Sequence, residues 1–402
     1  MTGMRDDEQV EVAAEQSAES ARRLVLVAGS GRSGTSTMSG ILRLVGLHVP
    51  QPEVRADATN PRGFGEPQWV VDLHAAMLDR ARVHPSDARP AAWGHAADVV
   101  TEPVRRQLDR WLGQQFTAAA RDTSELVIKD PRLAWFLPLW TGAAERSQAS
   151  AAVITMLRPP AEVVASKVRS YGGPKTDSNR LAAWVNMMLH TEYATRGGLR
   201  AFVSYHALLD DWTTAVHRMG ETLQVRGVRD ASADQIRNVH LFVDPALRRV
   251  SVDWSDVEAP APLRELADES WEALSHLVDP TADDADLRRR LDQLRDAYME
   301  LYLASEQLAM SSVIAARRTK PPGRDIGAPD SSHGPEPTSM PVPATTTAQP
   351  ALTAPSAQPV RTGTRRLDRL SSAVPHAVRA RIPARLRRRV RAGLARLQGD
   401  RR

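Results

Sequence analysis

The stretch Val25-Leu-Val-Ala-Gly-Ser-Gly-Arg-Ser-Gly-Thr-Ser-Thr-Met38 constrains this chain more than any other. Its apolar run, Leu24 to Ala28, reads as a buried strand, and glycines at 29, 31 and 34 make the turn that follows. Met38, Ile41, Leu42 and Val45 then recur at helical spacing, which predicts a helix opening near Thr35. A strand, a small-residue turn and a helix N-terminus aim backbone N–H groups and the positive end of the helix dipole at one point, which is an anion site. Three fingerprints overlap there. Gly29-x-Gly31-x-x-Gly34 fits a dinucleotide loop, but the acid that should end a second strand about 20 residues on is missing, because Glu53 sits in a proline-flanked turn. Gly29-x4-Gly34 begins a Walker A loop, yet Thr35 stands where the phosphate-binding lysine belongs. The cation lies inside the loop instead, at Arg32, and this is the third reading.

Further along, short apolar runs alternate with helical patterns. Leu126–Lys129, Ala152–Leu157 and Leu199–Tyr205 read as strands; 68–82, 101–120, 161–171, 180–196 and 207–223 read as helices. Gly46–Pro50 reads as a short strand or loop, and 60–67 as a surface turn dense in Gly, Pro and Asn. Strands separated by helices predict a parallel sheet in a three-layer α/β/α sandwich of P-loop NTPase-like type, with ligands at the carboxyl ends of the strands. Arg32, Lys129, Arg158 and Tyr205 all fall at or just past such ends. Ser166 follows Arg158 by eight residues, so an arginine and a hydroxyl can grip a second anion from two sides. Tryptophans 69, 93, 135, 140 and 184 read as core rather than as platforms for a substrate.

Charge divides the chain. The net charge of +5 hides a tail, 361–402, with 14 Arg against Asp368 and Asp400, which is 14 − 2 = +12 and leaves 5 − 12 = −7 for the rest. A mildly acidic body argues against nucleic acid as its partner. The tail carries Leu and Val three or four residues apart between its arginines, interrupted by Pro375 and Pro383, a pattern suited to an anionic membrane surface, with an unstructured solvated tail and a nucleic-acid contact as the other readings. The boundaries expected are a disordered N-terminus at 1–20, a catalytic domain at 21–317, a Pro/Ser/Thr/Ala-rich linker at 318–360 and the basic amphipathic tail at 361–402. The start of the chain has no apolar leader and no run reaches the ~18 apolar residues of a membrane span. The expected location is the cytoplasm, with the tail as a peripheral contact at the inner face of the membrane. The absence of cysteine excludes disulfides, thiolate metal sites and a cysteine nucleophile. The repeat at 287, 291, 294, 298, 301 and 308 reads as a helix packed on its own domain, with a homodimer coiled coil as the second reading; Ser305 interrupts that seam.

Taken together, Arg32-Ser-Gly-Thr-Ser36 after a strand, Lys129-Asp-Pro131, Leu157-Arg158-Pro with Ser166 downstream, and Asn60-Pro-Arg-Gly-Phe-Gly-Glu66 resemble a sulfotransferase, over about residues 22–250. The resemblance implies 3′-phosphoadenosine 5′-phosphosulfate as donor and a sulfuryl transfer that uses no metal. It places the 5′-phosphosulfate on Ser30, Gly31, Arg32, Ser33, Gly34, Thr35 and Ser36, and the 3′-phosphate on Arg158 and Ser166. Tyr205, in Val203-Ser-Tyr-His-Ala-Leu-Leu, resembles the family's Tyr-Glu-Asp-Leu-Leu segment near the adenine, with His206 and Ala207 replacing the acidic pair. Arg32 and Lys129 would stabilise the departing phosphate, and Glu66 is the expected base. Asp130 is its rival, made a weaker base by the adjacent lysine, and His48 the third candidate. Asp244 to Arg249 is either a further cationic contact or a solvated face. The acceptor is open: a small molecule, a glycan or a lipid-linked group. The other readings are a P-loop kinase or hydrolase with a displaced cation, and a non-catalytic, membrane-associated nucleotide-binding protein.

Overall fold

The computed structural model describes residues 22–57, 60, 62–119, 123–243 and 252–319. The chain divides into two units, Met1–Gly323 and Arg324–Arg402, and the second lies wholly outside the described residues. So do the expected N-terminal segment 1–20, nearly all of the linker, the basic tail and the Asp244–Arg249 stretch.

The first unit opens with β1 (Arg22–Gly29) and α1 (Thr35–Leu44), then α2 (Gln68–Ala81), α3 (Ala92–Asp98) and α4 (Glu102–Ala119). It continues through β2 (Glu125–Lys129), a 3₁₀ turn at Leu133–Phe136, α5 (Leu137–Arg146), β3 (Ala149–Leu157), α6 (Pro160–Tyr171), α7 (Asp177–Ala194) and β4 (Leu199–Ser204). Then follow α8 (Tyr205–Asp210), α9 (Trp212–Leu223), α10 (Arg226–Arg229), α11 (Ala233–Phe242), α12 (Ala261–His276) and α13 (Ala285–Thr319). The four strands pair in parallel in the order β2-β1-β3-β4, with Val27 opposite Lys129 on one side and Ile154 on the other. The α/β/α sandwich with a parallel sheet expected from the sequence is what this unit adopts.

The period of two explains the layers. Leu24, Leu26 and Ala28 of β1 point into a core built with α2–α5, whereas Val25 and Val27 point into one built with α1, α9 and α11. Both faces of β1 are therefore buried, which is why its sequence is an unbroken apolar run. A third cluster joins α6 and α7 to α12 and α13 through Val163, Trp184, Leu266 and Leu294.

Several expectations change in detail. Residues 207–223 are two helices, not one: Asp211 breaks the run and caps α9, accepting from Thr213 N at 3.1 Å and Thr214 N at 3.2 Å. Gly46–Pro50 is no strand of its own, but the His48 backbone bridges to β2, donating to Glu125 O at 3.0 Å and accepting from Val127 N at 2.9 Å. The 287–308 pattern belongs to a longer helix whose Leu291, Leu294 and Tyr298 are buried against its own domain, while Ser305 is exposed. Trp140 and Trp184 are fully buried, and Trp69 stacks on Trp111 with ring centroids 4.4 Å apart. Among the described residues no helix is long and apolar enough to cross a membrane.

Candidate functional site

A cavity of about 910 Å³ opens at the carboxyl ends of β1, β2 and β3. Of the residues expected in the site, Gly31, Arg32, Gly34, Thr35, Ser36, Glu66, Lys129, Arg158, Ser166 and Tyr205 line it. Ser30 and Ser33 are buried in the wall behind. His48, Asp130 and the five tryptophans do not line it.

The glycine turn is shaped by contact as much as by its own conformation. Gly34 precedes α1 with φ +90°, and a Cβ there would stand 2.3 Å from Cδ2 of Tyr205. Arg32 itself has φ 77°, a left-handed conformation that a non-glycine residue holds only where its surroundings impose it. No side chain caps α1 and no acid occupies its first turn, so its leading N–H groups are left for an anion. The Ser33 hydroxyl is buried in the same turn without a hydrogen-bond partner, a further donor for which the protein supplies no acceptor.

Arg32 reaches across the cavity, its Nε donating to Ser166 Oγ at 3.2 Å. Arg158 donates from Nη1 to the Arg32 carbonyl at 3.0 Å and from Nε to Glu162 at 2.9 Å, and its guanidinium lies 4.7 Å from the Tyr205 ring centroid. The arginine at the end of β3, the serine on α6 and the arginine of the turn are thus one connected set. Burial pushes the Glu162 carboxyl up, but hydrogen bonds and charge from His206 and Arg158 outweigh it and hold the group below its ordinary value.

On the opposite wall, the Lys129 ammonium donates to Glu66 Oε1 and, at 3.1 Å, to Ser36 Oγ. Glu66 is only 6% exposed. Burial raises its pKa, the charge and hydrogen bond of Lys129 oppose that rise, Asp130 adds to it, and the balance stays above an ordinary carboxylate. The turn carrying Glu66 is held on both sides. Val54 N donates to Glu66 O at 2.8 Å, and Ser39 Oγ of α1 donates to Gly65 O at 3.1 Å. Gly65 has φ +63° and a Cβ there would lie 2.6 Å from Ser39 Oγ, so this approach of the turn to α1 needs glycine.

Asp130 faces the other way. It bonds His74 Nδ1 at 2.8 Å and accepts from Arg132 N at 3.0 Å and Arg132 Nη1 at 2.9 Å. Trp140 Nε1 donates to His74 Nε2 at 2.8 Å, which puts the imidazole proton on Nδ1, where it serves Asp130. Burial pushes Asp130 up, but His74 and Arg132 outweigh it and hold it below the ordinary carboxylate range. This carboxylate anchors the strand end from inside the core.

The sequence reading overlooked a second group on the cavity wall: Lys167, Lys175, Arg180 and the turn His84-Pro85-Ser86. A lysine on a helix normally reads as a solvated residue, and nothing local distinguishes Lys167 from one; its adjacency to Ser166 was the only available signal.

No family model matches this sequence, and no curated protein does. Among solved structures, the sulfotransferase domain from the Synechococcus PCC 7002 olefin synthase aligns at 19% identity over 66% of this chain and 96% of that domain, with TM-score 0.35. The sulfotransferase domain from the curacin biosynthetic pathway aligns at 15% over 68% and 97%, with TM-score 0.36. The sulfotransferase STF1 from Mycobacterium tuberculosis H37Rv aligns at 14% over 68% and 81%, with TM-score 0.33.

Proposed function

We propose that this chain transfers a sulfuryl group from 3′-phosphoadenosine 5′-phosphosulfate to a hydroxyl or amine of a second substrate. One observation carries the reading: Arg32, Lys129, Arg158 and Ser166 meet around a single cavity that also holds one buried carboxylate, Glu66. The donor is an anion at both ends, and the cavity offers two groups of donors to match. The glycine turn, the start of α1 and Arg32 suit the phosphosulfate; Arg158 and Ser166 suit the 3′-phosphate, with the Tyr205 ring beside them.

As the sulfur–oxygen bond to the donor breaks, negative charge grows on the departing phosphate oxygen. Fixed cations and N–H groups already aimed at that oxygen lower the barrier without reorganising. Arg32, Lys129 and the leading amides of α1 fill that role. The acceptor gives up one proton, and Glu66 takes it; burial makes this carboxylate a stronger base than a solvated one. The ion pair couples the two events. Once Glu66 is protonated, the charge of Lys129 is no longer balanced by it and becomes available to the growing negative charge.

The test compares ligands and then activity. Adenosine 3′,5′-bisphosphate is expected to raise the melting temperature in the presence of EDTA, and ATP with magnesium is not; the reverse result would identify a P-loop kinase or hydrolase instead. With labelled donor and a panel of hydroxyl and amine acceptors, the wild-type chain should transfer sulfate. If Arg32→Ala and Arg158→Ala both keep wild-type affinity for the bisphosphate, the site has been misread.

A further inference from the structure

Among the described residues the cavity is lined by eight Lys and Arg side chains against one carboxylate, Glu66. Lys129, Arg132, Arg158 and Arg180 each pair with an acid, respectively Glu66, Asp130, Glu162 and Asp177, and Arg62 donates to the Phe242 carbonyl. Arg32 has no acid beside it, which suits the donor. Among the described residues Lys167 and Lys175 form no ion pair either, although the charge of Asp87 reaches Lys175; they sit together at Ser86, and Lys167 also reaches Ser30 of the glycine turn.

Lys167 is 5% exposed, and its ammonium meets only hydroxyls: Ser30 Oγ at 3.0 Å and Ser86 Oγ at 3.4 Å. Lys175 donates to the Ser86 carbonyl at 2.9 Å and lies 2.8 Å from His84 Nδ1. That ring nitrogen also accepts from Ser86 N at 2.9 Å, so the imidazole proton stands on Nε2 as a donor. Asp87, the nearest acid in sequence, is already gripped by Arg89 through contacts of 2.9 and 2.7 Å. Arg180 pins the intervening turn by donating to the carbonyls of Gly172 and Lys175. The result is a lobe of donors whose nearby acid, Asp87, accepts from His84 N at 3.1 Å and is paired with Arg89, while no acid among the described residues acts on Lys167. Burying an ammonium without a counter-charge is costly, and an anion in the cavity beside it would offset that cost.

We propose that this lobe binds an anionic group of the acceptor (a carboxylate, phosphate or sulfate ester) and so restricts the enzyme to acceptors carrying one. The inference rests on the sulfuryl-transfer reading for the word acceptor, but the anion site stands on its own geometry. Lys167 is the specificity-determining residue, Lys175 and Ser86 its helpers. The protonation of Lys167 agrees with this. Burial first, then the charges of Lys175 and Arg180, depress it to about 7, so an anion arriving at pH 8 should draw a proton onto it.

Titration calorimetry of the full chain with inorganic phosphate tests the lobe. It is run on the free protein and on protein saturated with adenosine 3′,5′-bisphosphate, for wild type, Lys167→Met and Lys175→Gln. Saturated wild-type protein should still bind phosphate, at least tenfold more weakly in Lys167→Met and severalfold more weakly in Lys175→Gln. Affinity for the bisphosphate should stay within threefold in both. Repeating the phosphate titration at pH 8 in two buffers of different ionisation enthalpy should show proton uptake by wild type and none by Lys167→Met. The proposal is overturned if saturated wild type binds no further phosphate, or if Lys167→Met loses tenfold in bisphosphate affinity, since the lysine then belongs to the donor. Failure of wild type to bind the bisphosphate at all would remove the sulfuryl-transfer reading alone. In that case the free-protein titrations still decide the lobe: a loss in Lys167→Met keeps it and no loss removes it. Lys175→Gln, on a half-buried side chain, keeps the test decisive should Lys167→Met fail to fold.

Discussion

The two ends of the cavity treat positive charge in opposite ways. Around the glycine turn most cations are held by acids: Lys129 by Glu66, Arg158 by Glu162, and the neighbouring strand end by the Asp130–Arg132 pair. Where Lys167 spans from Ser30 of that turn to Ser86, it and Lys175 instead bond only hydroxyls, a carbonyl and an imidazole nitrogen among the described residues. A paired cation is oriented before any ligand arrives and costs the folded chain little. An unpaired buried one costs stability until a ligand neutralises it. The first arrangement suits chemistry that must repeat on a fixed donor, and the second suits discrimination among acceptors.

The strongest way to break the contrast is at the paired end. Glu66→Gln keeps the shape and removes the base, so transfer should fall by about 10²–10⁴-fold while bisphosphate affinity is kept. Wild-type activity should fade on the acid side as Glu66 gains its proton, at a pH above the ordinary carboxylate range. Because the charge of Lys129 lowers the pKa of Glu66, Lys129→Met should move that acid limb still higher. A limb that stays put would separate Glu66 from the rate.

Asp130→Ala comes next, read as stability. Removing one partner of a buried, hydrogen-bonded pair costs about 3–5 kcal/mol, and denaturant melts should find most of that. The pKa of Asp130 is depressed in the fold, so its contribution is present above the ordinary aspartate range and is lost as pH falls through the depressed value. A neutral outcome would mean that the Asp130–His74–Trp140 chain is dispensable. Gly34→Ala should cost about 1–3 kcal/mol through its left-handed φ, and should weaken bisphosphate binding because the Tyr205 ring must move.

The smallest effect lies at the unpaired end. The folded pKa of Lys167 is about 7 and its unfolded value is ordinary, so between them the unfolded chain binds more protons and stability rises with pH. From pH 7 to 8 the ligand-free protein should gain up to about 1 kcal/mol, and Lys167→Met should abolish the gain. An identical slope in the variant would make both ends of the cavity alike.

Much of this was legible along the chain because the relevant signals are local. β1, its turn and α1 follow from a run of apolar residues buried on both faces, three glycines and helical spacing. The helices α3, α5, α10, α11 and α12 were missed. The short α3 carries too little periodicity, and Leu137-Pro-Leu is a good helix start that reads as a turn; α12 does show helical spacing at Leu263, Leu266, Ala267, Ala273 and Leu274, a signal that was passed over. Asp211 could have been read as a cap, since Thr213 and Thr214 follow it, but the apolar pattern runs on past it.

By itself, then, the sequence determined the parallel sheet, the glycine turn before α1 and the cations at strand ends, because strand ends and helix starts are set by neighbours in the chain. Only the tertiary structure decided which acid each cation meets. It turned Asp130 inward to His74, set Glu66 on Lys129 and left Lys167 with hydroxyls, through contacts spanning 56, 63 and 137 residues. Charge is written residue by residue, but whether it is compensated depends on what folding brings within a few ångströms, and that difference separates the proposed base, the anchor and the proposed anion site.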